Sequence, residues 1–202
     1  MNLRTELPTA ENSSNFNAVA DAVTKAGTTL ENLKAAVAGE TGASAKYSAF
    51  AKAAKEQGFD QLARLWEATS AAEQIHINLE ASLVEAEDPS YTRPTAEAPT
   101  PEAIDLNLIA SANGEIFETS DMYPTFIKKA QEEGHAKAVK VFTRAKLAEA
   151  VHAEKYLEAY NNIDAADDDA YYLCPGCGYI HKGDDFEKCP ICGVPKAKFQ
   201  RF

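Results

Sequence analysis

The sequence predicts an all-α protein: a four-helix bundle made of two similar helical hairpins, followed by a small metal-binding domain of another kind. Three observations predict this fold class. Two long stretches are rich in helix-forming residues, an internal repeat relates them, and all four cysteines fall after residue 173. The length of 202 residues and the 45% hydrophobic content suit one or two compact domains.

The first hairpin is predicted between Leu30 and Leu83, with Gly58 separating its two helices. Four prolines in residues 85–101 exclude a continuous helix and predict a long crossover. A second helical pair, broken at Gly134, extends to about residue 163. The predicted boundaries are an N-terminal extension at 1–27 with no assigned function, the bundle at 28–163, an acidic linker at 164–170 and the small domain at 171–202.

The two hairpins are copies of one pattern. Gly39-Glu40 matches Gly114-Glu115 at an offset of 75 residues, and the segment 72–76 matches 148–152 at an offset of 76. Two antiparallel hairpins joined by a long crossover form the ferritin-like version of the four-helix bundle. In that fold, equivalent residues of the two halves meet at the centre.

Charged side chains interrupt the apolar faces of all four predicted helices. Burying an unpaired carboxylate costs several kcal/mol, so five of them near one another require cations. Two divalent ions would leave a net charge of about -1 and two trivalent ions about +1, which favours redox-active iron or manganese over zinc or magnesium. The residues concerned are Glu40 in the first helix, Glu73 and His76 in the second, Glu115 and Glu118 in the third, and Glu149 and His152 in the fourth.

A single Glu-x-x-His on a helix is usually a solvated pair without function. Here it occurs twice at matching repeat positions, and a Gly-Glu precedes each copy on the preceding helix. This combination is typical of helical bundles that hold two metal ions through carboxylates. Trp66 and Phe142, which also occupy equivalent positions, are interpreted as packing residues.

The cysteines form two knuckles, Cys174-Pro-Gly-Cys177 and Cys189-Pro-Ile-Cys192, separated by 11 residues. Four thiolates at this spacing predict a tetrahedral metal site, and the spacing alone does not distinguish zinc from iron. His181 is expected to be an exposed loop residue, with a position near an electron path as the alternative.

The overall charge excludes two classes of partner. Thirty-one acidic and twenty basic residues give a formal charge of -11, which repels nucleic acid and anionic membrane surfaces. No apolar run reaches the length of about 20 residues that a membrane span needs, and no signal pattern is seen at the N-terminus. A cytoplasmic location is therefore expected.

These motifs resemble the rubrerythrin family over residues 30–202, and the phrase at 177–183 together with the N-terminal extension resembles its nigerythrin branch. The resemblance implies a non-haem di-iron centre in the bundle and a mononuclear Fe(Cys)4 centre in a rubredoxin-like domain. It implies that Glu73 and Glu149 bridge the irons, and that Glu40 completes one coordination sphere. The motifs that carry the resemblance are Gly39-Glu40 through Tyr47, Glu73-x-x-His76, Gly114-Glu115-x-x-Glu118, Met122-Tyr123-Pro124 and Glu149-x-x-His152.

The resemblance also implies that Glu115 and His152 complete the second sphere, and that Glu118 exchanges with His76 when the iron changes oxidation state. Tyr47 and Tyr123 correspond to family tyrosines that donate hydrogen bonds to metal-bound carboxylates. Ordinary core packing is the alternative for both tyrosines.

The implied activity is the reduction of hydrogen peroxide to water, with electrons passing from the rubredoxin-like centre to the di-iron site. The resemblance implies that the electrons ultimately come from NAD(P)H. Because no Gly-x-Gly-x-x-Gly sequence occurs here, they are expected to arrive through a separate protein, a reductase or a rubredoxin. The acidic linker allows the small domain to lie far from its own bundle. The resemblance implies that the small domain of one subunit then approaches the di-iron site of its partner, so a head-to-tail homodimer is expected. The alternatives are a ferroxidase that handles iron, and a zinc-bound interaction module attached to a scaffold.

Overall fold

The computed structural model describes residues 23–163 and 168–202, and within these residues four helical rods form a bundle. The third rod consists of two α-helices joined by a five-residue π-helical turn, Glu118–Met122. The predicted all-α bundle followed by a small domain is confirmed. The helices are α1 (Thr29–Glu56), α2 (Asp60–Glu87), α3 (Ile104–Phe117), α4 (Tyr123–Glu132) and α5 (Ala136–Asn161).

The ends of the helices follow from local sequence signals. The side chain of Thr28 accepts a hydrogen bond from the backbone of Glu31, and the Glu31 side chain accepts one from the backbone of Thr28, which caps α1. Gly58 and Gly134 have φ values of +83° and +70°, so glycine at these positions lets the chain turn between the paired helices. Residues 88–103 contain no helix and form the predicted crossover.

The two largest apolar clusters of the described residues lie in the interior of the bundle. One contains Trp66 and Tyr156, and the other contains Phe126 and Phe142. Trp66 and Phe142 are fully buried, which confirms that they pack in the core. The repeated hairpins therefore bury equivalent aromatic side chains in the two halves of the bundle.

The small domain contains a three-stranded antiparallel sheet. Its strands are β1 (Tyr171–Leu173), β2 (Ile180–Lys182) and β3 (Gln200–Arg201), in the order β2-β1-β3. Tyr171, Leu173 and Ile180 belong to the same buried cluster as residues of α1 and α2. The small domain is therefore docked on its own bundle, although the acidic linker would also allow a position far from it. Apolar side chains shared across the boundary account for this docking.

Two sequence predictions concern residues outside the described part of the chain. These are most of the N-terminal extension, residues 1–22, and residues 164–167 of the acidic linker. Among the described helices, none combines the length and apolar character required to cross a bilayer.

Candidate metal centres

Six of the predicted ligands meet at the centre of the bundle. They come from α1, α2, α3 and α5, and each is at most 1% exposed. They form two overlapping groups that share Glu73 and Glu149, and within each group the ligand atoms lie within 4.8 Å of one another. The first group is Glu40, Glu73, His76 and Glu149, and the second is Glu73, Glu115, Glu149 and His152.

The hydrogen-bonding groups at this centre are incompletely satisfied by the described residues. The buried atoms without a hydrogen-bond partner are Glu40 Oε2, Glu73 Oε1, Glu115 Oε2, both carboxylate oxygens of Glu149, and His152 Nδ1. The Glu149 oxygens lie close to the Nδ1 atoms of His76 and His152, but these contacts lack hydrogen-bond geometry. Such atoms are costly in a protein interior unless something binds them. Carboxylate oxygens with one imidazole nitrogen per group are suitable ligands for iron or manganese, so the residues fit a pair of metal ions.

The electrostatics of the centre also favour bound cations. Burial raises the pKa of Glu40 well above its usual range, and the negative charges of Glu118 and Glu149 raise it further. Burial, with the charge of Glu73, raises the pKa of Glu115 to about 8. Burial opposes ionisation of Glu149 too, but the facing imidazoles of His76 and His152 lower its pKa overall. Without cations, the cluster therefore resists full ionisation.

The two histidines present one nitrogen to the carboxylates and the other to the small domain. His76 Nδ1 lies 2.7 Å from Glu149 Oε1, and His152 Nδ1 lies 2.7 Å from Glu149 Oε2. The Nε2 atoms lie 3.1 Å from the carbonyl oxygen of Cys177 and 2.8 Å from that of Gly178, respectively. A carbonyl oxygen only accepts hydrogen bonds, so each Nε2 carries the hydrogen. A neutral ring then has its Nδ1 lone pair free to bind a metal.

Gly178 allows the small domain to approach His76 closely. Its φ is +77°, and a Cβ atom at this position would lie 2.4 Å from His76 Nε2. Gly193, the equivalent residue of the second knuckle, has a φ of +80°, but a Cβ there would meet no atom within 4 Å. The sequence alone suggests a turn at both glycines. The contact between the two domains shows that Gly178 faces a neighbouring side chain and Gly193 does not.

The two tyrosines contact the carboxylates in a crossed arrangement. Tyr47 of the first hairpin donates a hydrogen bond to Glu115 of the second, and Tyr123 of the second hairpin donates one to Glu40 of the first. Both tyrosines are fully buried. Each hydroxyl is therefore in a position to orient one carboxylate.

Glu118 lies outside both groups of ligand atoms. It is the first residue of the π-helical turn and is 8% exposed. Burial raises its pKa well above the usual range, and the charge of Glu115 raises it further. In the structure, His76 therefore belongs to the same group of ligand atoms as Glu40, and Glu118 lies outside that group, in the π-helical turn.

Sequence reasoning missed Glu80, a fully buried carboxylate that contacts Tyr123 beside the centre. Its Oε1 lies 2.9 Å from the Tyr123 hydroxyl oxygen. Leu79 and Leu83 continue the three- and four-residue spacing from Glu73 and His76 and so favour a buried face through the two leucines, but both are only half-buried. Glu80 lies four residues after His76, on the same face of the helix. That spacing is the signal that could have identified it.

The four cysteines come together in the small domain. The sulfur atoms of Cys174 and Cys192 are 3.4 Å apart, as are those of Cys177 and Cys189, and all four cysteines are free. Hydrogen bonds from Cys174 and Cys177 lower the pKa of Cys189 to about 2. All four sulfur atoms lie within 4.8 Å of one another and form the four-cysteine site.

His181 is buried, so the expectation of an exposed loop residue is wrong. Its side chain is hydrogen-bonded to the Tyr179 hydroxyl at 3.0 Å and to Asp185 at 2.8 Å. Its ring lies 4.4 Å from that of Phe186, measured between centroids. These contacts make His181 part of the small aromatic core beside the four-cysteine site.

Comparisons with known proteins agree with this geometry. The family profile described as Rubrerythrin matches residues 31–160, and the one described as Rubrerythrin, rubredoxin-like domain matches residues 172–200. Nigerythrin from Nitratidesulfovibrio vulgaris is 67% identical over 202 residues, which is 100% of both chains. Rubrerythrin from the same organism is 34% identical and covers 87% of this chain and 95% of its own. The solved structure of fully reduced, all-ferrous nigerythrin superposes with a TM-score of 0.90 at 67% identity, with full coverage of both chains.

Proposed function

Because this chain belongs to the rubrerythrin family, we propose that it is a non-haem di-iron peroxidase that reduces hydrogen peroxide to water. One observation carries the proposal: the small domain with the four-cysteine site contacts the Glu/His centre through hydrogen bonds to both of its imidazoles. A site that can accept single electrons thus adjoins a site that can hold two metal ions. This arrangement suits a reductase more than an iron store, which needs no electron inlet.

The residues support iron in both sites. Nigerythrin, which is 67% identical, has been solved in an all-ferrous state, and the ligand types here are the same ones that suit iron. When bound, a pair of ferrous ions supplies two electrons at adjacent positions for cleavage of the peroxide O–O bond. Glu73 and Glu149 are shared by both groups and are proposed to bridge the ions.

The remaining ligands are proposed to complete the two coordination spheres. Glu40 and His76 belong to one group, and Glu115 and His152 belong to the other. Glu118 is proposed to exchange with His76 when the oxidation state changes. A carboxylate favours the more highly charged ion and the neutral imidazole favours the less charged one. The buried π-helical turn places Glu118 close enough to the cluster to affect the pKa of Glu40.

The protein side chains orient the site and exclude water. Every residue of the two groups is buried, so few water molecules compete with a bound substrate. Burial and the nearby carboxylates raise the pKa values of Tyr47 and Tyr123 well above the usual range. The two hydroxyls therefore keep their hydrogens and hold Glu115 and Glu40 in position.

We propose that electrons enter through the small domain. Cys177 supplies a sulfur to the four-cysteine site, and its carbonyl oxygen accepts a hydrogen bond from His76. One peptide group thus links a ligand of the first site to a ligand of the second. The electrons would come from a separate reductase or rubredoxin, and ultimately from NAD(P)H. The head-to-tail homodimer stays a prediction, since in this structure the contact is made within one chain.

Titration of the iron-loaded, fully reduced protein with peroxide under anaerobic conditions tests the proposal. We expect each di-iron pair to consume one peroxide. A Cys192→Ser variant should react once in the same way and should then fail to be reduced again by an electron donor. If the reduced protein does not consume peroxide stoichiometrically, or if it oxidises and retains excess ferrous iron, the ferroxidase alternative is favoured.

A further inference from the structure

Glu80 adds a sixth carboxylate to the five that the sequence predicts near the centre. It is fully buried and belongs to neither group of ligand atoms. Its Oε1 lies 2.9 Å from the hydroxyl oxygen of Tyr123, and the same hydroxyl contacts Glu40 Oε1. Its Oε2 is buried and has no hydrogen-bond partner among the described residues.

The hydrogen atoms at the Tyr123 hydroxyl can be counted. A phenol carries one hydrogen, and here two carboxyl oxygens face it. Both contacts are hydrogen bonds only if one carboxyl group is protonated and donates to the phenol oxygen. Glu40 belongs to a metal group, and a carboxylate must be deprotonated to bind a metal. The proton therefore lies on Glu80, which donates to Tyr123, which in turn donates to Glu40.

Burial supports the same assignment. An ionised Glu80 would leave a charged oxygen buried without a partner, whereas a neutral acid leaves only an uncharged one. In the metal-free protein, burial raises the pKa of Glu80 to about 8, although the positive charge of a protonated His76 opposes the rise. A neutral Glu80 also avoids adding a sixth negative charge to the cluster.

The internal repeat shows that this acid belongs to one half of the site. The offset of 76 residues that pairs Tyr47 with Tyr123 also pairs Glu80 with Tyr156. In the other half, the ring of Tyr156 lies beside that of Tyr47, with 5.5 Å between centroids. Of the two tyrosines, therefore, only Tyr123, in the half of the site with Glu40 and His76, has an additional acid beside it.

We propose that Glu80 is a proton store for the di-metal site, which supplies a proton through the hydroxyl of Tyr123 to the Glu40 side. This inference rests on the proposed function. Reduction of one peroxide to two water molecules takes two electrons and two protons. The two electrons would come from the pair of ferrous ions, one proton from Glu80, and the other proton from an acid in the solvent, hydronium or buffer.

Each step of the proton transfer from Glu80 through Tyr123 to Glu40 conserves charge. The O–H bond of Glu80 breaks and its proton joins the Tyr123 oxygen, while the hydrogen of Tyr123 passes to Glu40 Oε1 and from there to the peroxide oxygen that leaves as water. Tyr123 and Glu40 are thereby restored, Glu80 becomes a carboxylate, and an acid in the solvent, hydronium or buffer, reprotonates it after turnover.

Glu80→Gln tests the proposal, because glutamine keeps the shape and an acceptor oxygen but has no transferable proton. Glu85→Gln is the matched control, since Glu85 lies on the same helix and is exposed, with Arg93 as its partner. Infrared spectra of the iron-loaded protein report protonated carboxylic acids through their C=O stretch. We expect this band in the wild type and in Glu85→Gln, and its loss in Glu80→Gln.

The second measurement is the rate at which one peroxide equivalent reoxidises the reduced protein. We expect Glu80→Gln to be slower than Glu85→Gln by about 100-fold, the lower end of what a positioned proton donor contributes. Survival of the acid band in Glu80→Gln, or equal rates for the two variants, would overturn the proposal.

Tyr123→Phe provides an independent variant in case Glu80→Gln does not fold or does not bind iron. It should keep the acid band at a shifted frequency, because Glu80 loses its partner, and should slow reoxidation to a similar degree. An unshifted band or an unchanged rate contradicts the relay. If the wild type does not react with peroxide at all, the proposed function fails, while the infrared comparison still decides whether Glu80 holds a proton.

Discussion

His152 donates a hydrogen bond from Nε2 to the carbonyl oxygen of Gly178 at 2.8 Å, although the two residues belong to different domains. The neighbouring carbonyl, that of Cys177, accepts the equivalent bond from His76. The chain segment that contains the second cysteine of the four-cysteine site therefore lies directly on the two imidazoles of the Glu/His centre. The contact between the two sites depends on the close approach of this segment.

Replacement of Gly178 by alanine should separate the two sites. The added Cβ would lie 2.4 Å from His76 Nε2, and overpacking of this kind costs about 1–3 kcal/mol. We expect electron transfer from the reduced four-cysteine site to the di-metal site to slow by about tenfold or more, measured by stopped-flow absorbance.

Gly193→Ala is the control for this experiment. It introduces the same backbone strain at a φ of +80°, but its Cβ meets no atom within 4 Å. Equal transfer rates in the two variants would show that close approach at residue 178 is not required.

Tyr47→Phe should weaken metal binding at the second group. The variant removes the hydroxyl that donates to Glu115, and loss of such a partner typically lowers metal affinity by about 10–100-fold. Competition with a chelator, followed by metal analysis, measures the change. Phe50→Leu, which alters the same aromatic cluster away from the carboxylates, should retain metal as the wild type does.

Metal removal should destabilise the bundle. Without cations the buried carboxylates repel one another and leave oxygens without partners. We expect a lower Tm for the chelated protein by calorimetry, recovered when ferrous iron is added back. A Tm that does not respond to metal would contradict the idea that cations neutralise the cluster.

The stability of the metal-free protein should fall as pH rises. The folded-state pKa values of Glu80 and Glu115 are raised from 4.5 to about 8, so the folded state binds more protons than the unfolded state between these values. Unfolding then becomes easier with increasing pH across that window. Denaturant titrations at pH 5 and at pH 8 measure the difference in the free energy of unfolding. Both pH values lie between the unfolded-state pKa of about 4.5 and the folded-state pKa of about 8. A metal-free protein that is more stable at the higher pH contradicts this prediction.

The hydrogen bonds of His181 should stabilise the small domain. His181→Phe keeps an aromatic ring against Phe186 but loses the contacts to Tyr179 and Asp185. We expect a loss of about 0.5–1.5 kcal/mol in the free energy of unfolding, the typical net contribution of a hydrogen bond, because the Tyr179 hydroxyl loses its contact with His181. The metal content of the four-cysteine site should not change, since the cysteines themselves are untouched.

Much of the bundle and its centre was predictable because the signals are local and repeated. The Glu-x-x-His pairs and the paired Gly-Glu sequences identified six residues that the structure brings together. Gly58 and Gly134 marked the ends of helices through their backbone requirements. Repetition supplied the pairing between distant segments that a single motif cannot provide.

What the sequence did not reveal depends on three-dimensional packing. Glu80 was missed because leucines nearby suggested a slightly different buried face of α2. The buried state of His181 depends on its aromatic neighbours, and the special role of Gly178 depends on docking between domains. The π-helical turn at Glu118 reflects a local hydrogen-bonding pattern for which no residue spacing gave a signal.

The shared use of the two imidazoles has a thermodynamic consequence. His76 and His152 turn one nitrogen toward the carboxylates and the other toward the small domain, so the ring orientation that suits one contact suits the other. Loading the bundle with cations should then tighten domain association, and domain association should increase affinity for those cations by the same factor. The two halves of the molecule are energetically coupled through two rigid rings.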